Sequence, residues 1–261
     1  MKISGNTILI TGGSSGIGFE FARQLLSAGN IVIATGRDDK KLRNLKSRLP
    51  EVRVIKSDVS RPEEIESLRK TVLAEFPKLN ILINNAGIMR TVNMHDETVS
   101  LESLTDEIDT NLKGPIRMAK AFLPHLKKQA DAAIVNITSG LAFTPLPTSP
   151  VYCATKAGLH SFSLSLRVQL KNTKVRVFEV APPATATELL SDMNQEDMKG
   201  VSIMKVDEMV EEAIIGIAAD RPEIRPGQAN SLKFMSRLAP EFILKQMSKP
   251  VDRMLGESSR Q

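Results

Sequence analysis

The sequence predicts an α/β protein built around a doubly wound parallel sheet, and two features of the chain indicate it. Short apolar segments alternate with longer amphipathic segments from the amino terminus onward. The short segments are apolar throughout, which is typical of parallel strands covered by helices on both faces. Right-handed crossovers between such strands place all their carboxyl ends along one edge of the sheet. We therefore expect a ligand crevice at that edge.

Six strands and five helices account for most of the chain. Strands are predicted at 7–11, 31–35, 52–56, 79–84, 132–138 and 175–180. Helices are predicted near 16–28, 38–48, 61–76, 101–128 and 151–171. After about residue 219 the alternation fades, and a short strand followed by an amphipathic tail is expected. The chain is therefore interpreted as a single domain with its main body over 1–220 and a C-terminal extension over 221–261 packed on or near it.

Composition restricts the classes of protein that fit. The 261 residues are 41% apolar and 25% charged, as in an ordinary soluble globular protein. Cys153, the single cysteine, cannot form an internal disulfide and is expected to be a small buried apolar side chain. No apolar stretch approaches about 20 residues and no signal peptide is evident, so we expect a cytoplasmic protein. The three histidines are widely scattered, so no metal site is predicted.

The net charge of +5 is concentrated in the C-terminal extension. Residues 221–261 hold eight Lys or Arg and four Asp or Glu, whereas the first 220 residues are nearly neutral. This distribution does not favour nucleic acid as a partner. The tail places five apolar side chains among basic ones: Leu232, Met235, Leu238, Phe242 and Met247. That pattern favours docking onto the protein's own crevice or onto a partner subunit, with a membrane surface as the less favoured alternative. The acidic stretch 96–109 is interpreted as a solvated loop and helix face.

A glycine-rich loop follows the first strand. It reads TGGSSGIG over 11–18, with Gly12, Gly16 and Gly18 spaced one residue more widely than in the common dinucleotide fingerprint. Glycines allow a tight turn and a close approach of the backbone to a pyrophosphate, and the N–H groups that begin the next helix favour its charge. In this strand–loop–helix context the loop predicts that residues 1–220 form a Rossmann-like dinucleotide-binding domain.

The end of the second strand indicates which dinucleotide is bound. A site for NAD(H) needs a carboxylate there, which accepts hydrogen bonds from the adenosine ribose. Gly36 stands at that position instead, and Arg37 follows it. A guanidinium suits a dianionic 2′-phosphate, and the missing carboxylate removes a repulsion. The sequence therefore favours NADP(H) over NAD(H), with a surface arginine at a helix start as the alternative.

Four motifs in order carry a resemblance to a known family. They are TGGSSGIG, the NNAG of 84–87, Ser139 and the Tyr152–Lys156 pair. Together they resemble the short-chain dehydrogenase/reductase family over about residues 5–220, and 139–143 with 150–157 resemble its bacterial branch often labelled DltE-like. The resemblance implies an oxidoreductase that transfers a hydride between a nicotinamide and a carbonyl or secondary alcohol. It also implies a homodimer or homotetramer, paired through the helices predicted near 101–128 and 151–171.

The resemblance further implies the residues of the site. The catalytic set would be Asn111, Ser139, Tyr152 and Lys156. The cofactor contacts would be Gly12, Ser14, Ser15, Gly16, Ile17, Gly18, Arg37, Asp58, Val59, Asn85, Ala86, Gly87, Tyr152, Lys156, Pro182, Thr185 and Thr187. The chain departs from the family at Pro183, where a glycine is usual, and this departure concerns the substrate loop more than cofactor binding.

Tyr152 is the only tyrosine, and its partner follows four residues later. On one helix this spacing brings Lys156 beside the phenol, where its positive charge would favour the phenolate. We therefore expect the pKa of Tyr152 to lie below its ordinary value near 10, suiting proton transfer to a carbonyl oxygen held by Ser139. Each residue has a structural alternative, such as a helix tyrosine with its hydroxyl in water. A dinucleotide-binding scaffold without turnover is the alternative function.

Overall fold

The computed structural model describes residues 1–191 and 201–258, and a seven-stranded parallel sheet forms the centre of this part of the chain. The strands are β1 Thr7–Thr11, β2 Ile31–Gly36, β3 Arg53–Lys56, β4 Leu79–Asn84, β5 Ala132–Ile137, β6 Val175–Val180 and β7 Glu223–Ile224. Their order in the sheet is β3-β2-β1-β4-β5-β6-β7, and every neighbouring pair is parallel. This confirms the doubly wound sheet. The order reverses between β1 and β4, and a crevice is expected to open at such a point.

Helices cover both faces of the sheet, as the uninterrupted apolar strands require. They are α1 Gly16–Ser27, α2 Asp39–Arg48, α3 Pro62–Glu75, α4 Leu101–Ile108, α5 Gly114–Leu126, α6 Pro150–Gln169, α7 Glu188–Ser191, α8 Val206–Ala218, α9 Ala229–Leu238, α10 Pro240–Met247 and α11 Lys249–Ser258. Two hydrophobic cores result, one on each face. Phe21 of α1 is buried in the first core, and Phe122 of α5 is buried in the second. None of the described helices is long and apolar enough to cross a membrane.

The segment predicted as one helix near 101–128 is helical to Leu126 but changes its hydrogen-bond pattern. A π-helical turn, Asp109–Lys113, separates α4 from α5. Pro115 lies just beyond this turn and has no N–H to continue a regular ladder. Single π turns inside helices occur frequently at functional sites, and this one carries Asn111.

One expectation about the surface needs revision, and another agrees with the structure. The acidic stretch 96–109 is not wholly solvated, because Glu107 is buried on α4. The tail docks partly on its own chain, as the favoured interpretation expected, because Leu232 and Met247 line the crevice at the sheet edge. Leu238 and Phe242 of the same tail remain exposed.

Candidate active site

A large crevice opens at the carboxyl edge of the sheet. Its volume is about 1310 Å³, more than the roughly 300–1,000 Å³ of most small-molecule sites. The loops after β1 to β6 and the C-terminal tail line it. Most of the predicted cofactor contacts lie on its wall, namely Gly12, Ser14, Ser15, Ile17, Arg37, Asp58, Val59, Asn85, Ala86, Gly87, Tyr152, Lys156, Pro182, Thr185 and Thr187. Gly16, Gly18 and Asn111 lie behind the wall.

The loops after β1 and β4 are held together by their backbones. The Asn85 side-chain amide donates to the carbonyl oxygens of Thr11 and Gly12, at 3.0 and 2.9 Å. A Cβ atom on Gly12, which has a φ of +63°, would lie 2.7 Å from Ala86 Cα. A Cβ atom on Gly18 would lie 2.2 Å from the Gly12 oxygen. Only glycine fits at these two positions, and the loop is thereby kept close against the crevice.

The start of α1 lies at this crevice and is not capped by the Ser15 side chain. Ser15 precedes the helix in an extended conformation, and its side chain makes no capping hydrogen bond. Ser14, Ser15 and Ile17 all line the crevice at this point. Backbone N–H groups at a helix start, together with the helix dipole, bind phosphate groups. The residues present therefore fit the pyrophosphate of a dinucleotide.

Arg37 stands at the mouth of the crevice beside the end of β2. Its side chain is 62% exposed, and its Nη1 lies 3.9 Å from Asp58 Oδ2, a loose ion pair. A Cβ atom on Gly36 would lie 3.2 Å from Ser14 Oγ, so a larger residue would crowd this corner. Lys41 also lines the crevice, but it forms an ion pair with Glu188. The corner thus combines an exposed cation, only loosely paired with Asp58, with the small residues Gly36 and Ser14, which fits an added phosphate on the adenosine ribose.

Tyr152 and Lys156 lie one turn apart on α6, close to the end of β5. The Lys156 ammonium is 5.6 Å from the centroid of the Tyr152 ring and donates to the Ile137 carbonyl oxygen at 2.9 Å. The Ser139 hydroxyl accepts from the Leu141 N–H at 3.1 Å, and the Ser139 side chain is close enough to the phenol to act on the pKa of Tyr152. The structure therefore brings three of the four predicted catalytic residues to one point on the crevice wall.

Asn111 lies directly behind this point. Its Oδ1 accepts from the Ile88 N–H at 2.9 Å, and its Nδ2 donates to the Ile88 oxygen at 2.8 Å. A Cβ atom on Gly87 would lie 3.4 Å from Asn111 Oδ1 and 3.5 Å from Lys156 Nζ. The amide and the ammonium therefore converge on the small space that Gly87 leaves open.

The expected lowering of the Tyr152 pKa is wrong. Burial raises the pKa of this phenol above its ordinary value, and the hydrogen bond from Ser139 offsets only part of the rise. Burial also lowers the pKa of Lys156 to about 8, because the ammonium is almost completely removed from water. The four-residue spacing correctly predicted that Lys156 lies beside Tyr152. It carries no information on how deeply the phenol and the ammonium are buried.

The apolar residues around Tyr152 were not named individually from the sequence, although Leu141 and Leu189 fall in the loops 141–150 and 184–206 that were expected to line the pocket. Met89, Leu141, Leu189 and Met247 pack against the cluster of Leu146, Tyr152 and Cys153, which confirms Cys153 as a buried apolar residue. These side chains come from five separate segments of the chain, and no local spacing connects them. Only the amphipathic pattern of the tail drew attention to Met247.

Comparison with known proteins agrees with this geometry. A family model described as short chain dehydrogenase matches residues 6–198, which is most of the chain. The chain belongs to the short-chain dehydrogenase family. It is 42% identical over 250 residues to an uncharacterized oxidoreductase of Bacillus subtilis called DltE, covering 95% of this chain and 98% of that protein. It is 33% identical over 204 residues to an uncharacterized oxidoreductase of Staphylococcus aureus, covering 77% of this chain and 87% of the other.

Solved structures of the family share the fold. A short-chain dehydrogenase from Burkholderia cenocepacia in complex with NADP superposes with a TM-score of 0.82 at 25% identity, covering 96% of this chain and all of that one. A 3-ketoacyl-(acyl-carrier-protein) reductase from Brucella melitensis complexed with NADH superposes with a TM-score of 0.78 at 26% identity, covering 86% and 98%. The chain therefore shares the fold of an oxidoreductase family in which one of these relatives was solved with NADP and the other with NADH.

Pro183, the departure from the family pattern, lies between the crevice and the tail. Its carbonyl oxygen accepts from the Thr185 hydroxyl at 2.9 Å. Its Cγ lies 3.5 Å from the position of a Cβ atom on Gly227, a residue with a φ of +51° just before α9. In this short-chain dehydrogenase the proline ring therefore packs against the turn that leads into the C-terminal helices.

Proposed function

We propose that this protein is an NADP(H)-dependent oxidoreductase that transfers a hydride between the nicotinamide and a carbonyl or secondary alcohol, with Tyr152 as general acid and base. The observation that carries the proposal is the convergence of Tyr152, Lys156 and Ser139 on a crevice that also contains the glycine-rich loop. A phosphate-binding loop alone fits many proteins. A phenol, an ammonium and a hydroxyl gathered beside it fit carbonyl chemistry.

The chain's own groups would divide the work as follows. The bound nicotinamide supplies or accepts the hydride. The Ser139 hydroxyl donates a hydrogen bond to the substrate oxygen and fixes its position. The Tyr152 phenol then gives its proton to that oxygen, and the Lys156 ammonium stabilises the phenolate that remains. Asn111 holds the backbone of Ile88 in place and borders the space beside Lys156. Through that space a proton from solvent would replace the one that the phenol gives up.

The corner formed by Gly36 and Arg37 supports NADP(H) as the preferred cofactor. A charge-assisted hydrogen bond from the guanidinium would stabilise a 2′-phosphate. No carboxylate is present at Gly36 to bind the ribose hydroxyl groups of NAD(H). NADP is bound by the Burkholderia cenocepacia relative and NADH by the Brucella melitensis relative. Because the relatives differ, the proposed preference for NADP(H) rests on the corner at Gly36 and Arg37.

The wall around Tyr152 supports an apolar substrate. Met89, Leu141 and Met247 are among the partly buried side chains that pack there. Because apolar surface is stabilised by about 25 cal/mol per Å² removed from water, this wall favours ketones or aldehydes with an extended hydrocarbon part. In this proposal residues 1–220 bind the dinucleotide and carry catalysis, and the extension over 221–261 contributes Met247 to the substrate wall of its own subunit.

A homodimer or homotetramer in the cytoplasm completes the proposal. Exposed apolar side chains on α5 and α6 support it, namely Ile116, Leu164 and Val168. Paired helices in an isologous interface would cover them. Light scattering at micromolar concentration tests the assembly, and a monomer would contradict it.

The decisive experiment is NADPH consumption with a panel of aldehydes and ketones of increasing hydrocarbon length. We expect turnover, and we expect Tyr152→Phe to reduce it by at least roughly 10²-fold while NADPH binding is retained. Binding without turnover of any substrate in the panel would favour the dinucleotide-binding scaffold instead.

A further inference from the structure

Glu107 is a buried carboxylate that the proposed chemistry does not use. It lies at the end of α4, one helical turn before Asn111, and is only 1% exposed. One carboxylate oxygen, Oε1, accepts from the Arg90 N–H at 2.8 Å. The other, Oε2, is buried and accepts no hydrogen bond from any residue that the structure describes. An ionised group in such a place is costly unless another charge compensates for it.

The nearest guanidinium does not form that compensating pair. Arg90 donates through Nη1 to the Ser103 oxygen at 2.5 Å and through Nη2 to Asp106 Oδ2 at 3.0 Å. Its side chain therefore turns to Asp106 at the surface, while its backbone N–H turns inward to Glu107. Within the described residues no cation forms an ion pair with Glu107.

Lys156 shows the converse situation on the facing helix. Its side chain is buried, and its ammonium donates to the Ile137 carbonyl oxygen. Across residues 1–191 and 201–258 no carboxylate lies within ion-pair distance of it. Helix α4 packs against α6, so the buried carboxylate and the buried ammonium lie on two helices that are in contact. Glu107 is also the one carboxylate whose charge acts on the pKa of Lys156, and it raises that pKa against the effect of burial.

We propose that Glu107 is a positioning residue of the candidate active site, which fixes the segment at Arg90 with one carboxylate oxygen and supplies the counter-charge of the buried Lys156 ammonium. Only the kinetic consequence of this proposal rests on the proposed function. The structural and electrostatic parts concern the folded chain itself and can be measured without turnover.

The positioning part follows from the spacing of two side chains on one helix face. Asn111 binds both backbone groups of Ile88, and Glu107 binds the backbone N–H of Arg90. The residue between them, Met89, packs against the cluster that contains Tyr152. The two side chains, four residues apart, therefore hold the segment 88–90 in place and keep Met89 against the cluster that contains Tyr152.

The electrostatic part has a definite sign for each neighbouring group. The negative charge of Glu107 raises the pKa of Tyr152, of Lys156 and of Cys153. The charges of Arg90 and Lys156 act in the opposite direction on Glu107, whose own pKa is raised by burial. Removing the Glu107 charge should therefore lower the pKa of both Tyr152 and Lys156.

The first test is Glu107→Gln, which keeps an oxygen for the Arg90 N–H but removes the charge. Because Tyr152 is the only tyrosine, phenolate absorbance recorded within milliseconds of a pH jump reports this residue alone. We expect its midpoint to fall by roughly one pH unit, as for a unit charge within about 10 Å in a partly shielded interior. Glu102→Gln, an exposed carboxylate on the same helix, is the matched control and should leave the midpoint unchanged. Equal midpoints in the wild-type and Glu107→Gln proteins would overturn the proposal.

The second test measures stability and does not depend on activity. Lys156→Met removes the ammonium and leaves Glu107 as an uncompensated buried charge. Glu107→Gln should therefore destabilise the wild-type chain but restore stability in the Lys156→Met background, as measured by urea unfolding. Additive effects in the double variant would contradict the counter-charge role. In an active enzyme the alkaline limb of the pH profile should also shift to lower pH in Glu107→Gln and not in Glu102→Gln.

Discussion

The two ends of the crevice are built in different ways. The end proposed to bind the dinucleotide (the dinucleotide end) is made by loops that directly follow strands, and its closest contacts join backbone to backbone, as at Gly12 and Ala86. The end proposed to bind the substrate (the substrate end) is made by side chains from distant segments, such as Met89, Leu141 and Met247, and these are only partly buried. Backbone contacts at the first end leave no room for a single added carbon. Side-chain packing at the second end tolerates exchange of one apolar residue for another of similar volume.

The largest effect is expected where the backbone contact is tightest. Gly18→Ala places a Cβ atom 2.2 Å from the Gly12 oxygen, so the loop must move away from the crevice. We expect a loss of about 3 kcal/mol in the free energy of unfolding and a loss of detectable NADPH binding. Calorimetry and fluorescence titration measure the two effects. Gly256→Ala is the control, because nothing lies within 4 Å of that position. Normal NADPH binding by Gly18→Ala would show that the backbone contacts of the dinucleotide end do tolerate an added carbon.

A second substitution tests the charge at the dinucleotide end. Arg37→Glu replaces an exposed cation at the crevice mouth by an anion that repels a 2′-phosphate. We expect NADPH to bind roughly 10- to 100-fold more weakly, as for loss of a charge-assisted hydrogen bond, and NADH to be affected far less. Arg43→Glu, an exposed site on α2 away from the crevice, is the control. Tighter binding of NADH than NADPH by the unmodified protein would contradict the cofactor proposal.

The third prediction concerns pH at the catalytic point, where the two ends meet. Burial lowers the pKa of Lys156 to about 8, so the ammonium is present below this pH and is lost above it. We expect kcat/KM for carbonyl reduction to fall about tenfold per pH unit above pH ~8. The folded lysine releases its proton before the unfolded one, so stability should rise between pH ~8 and ~10.4 relative to Lys156→Met. A kcat/KM that stays level to pH ~10 would contradict the assignment.

The smallest effect is expected at the substrate end. Met247→Ser removes an apolar side chain from the wall near Tyr152. We expect kcat/KM for long-chain ketones to fall roughly three- to tenfold, with short ketones and NADPH binding little changed. Leu244→Ser makes a comparable change on the same helix, at an exposed side chain outside the crevice, and is the matched control. Equal losses for short and long ketones would mean that Met247 supports the fold and not the substrate.

The dinucleotide end was predictable from the sequence because its requirements are local. Gly12, Gly16 and Gly18 are close in the chain, and only glycine fits the backbone that they form. The pair of Tyr152 and Lys156 was predictable for the same reason, since a four-residue spacing on a helix makes two side chains neighbours. Strands β1 to β6 followed from short apolar runs, and their predicted bounds differ from the observed ones by a residue or less.

What the sequence determined by itself was therefore the alternation of strands and helices, the glycine-rich loop and the types of the candidate catalytic residues. Only the tertiary structure decided how deeply those residues lie, which charge faces them and which tail covers them. Glu107 looked like part of a solvated acidic stretch, and burial against α6 gave it a different environment. Burial likewise reversed the expected direction of the Tyr152 pKa. Desolvation depends on every segment that packs around a group, whereas spacing along one helix reports only its nearest neighbours.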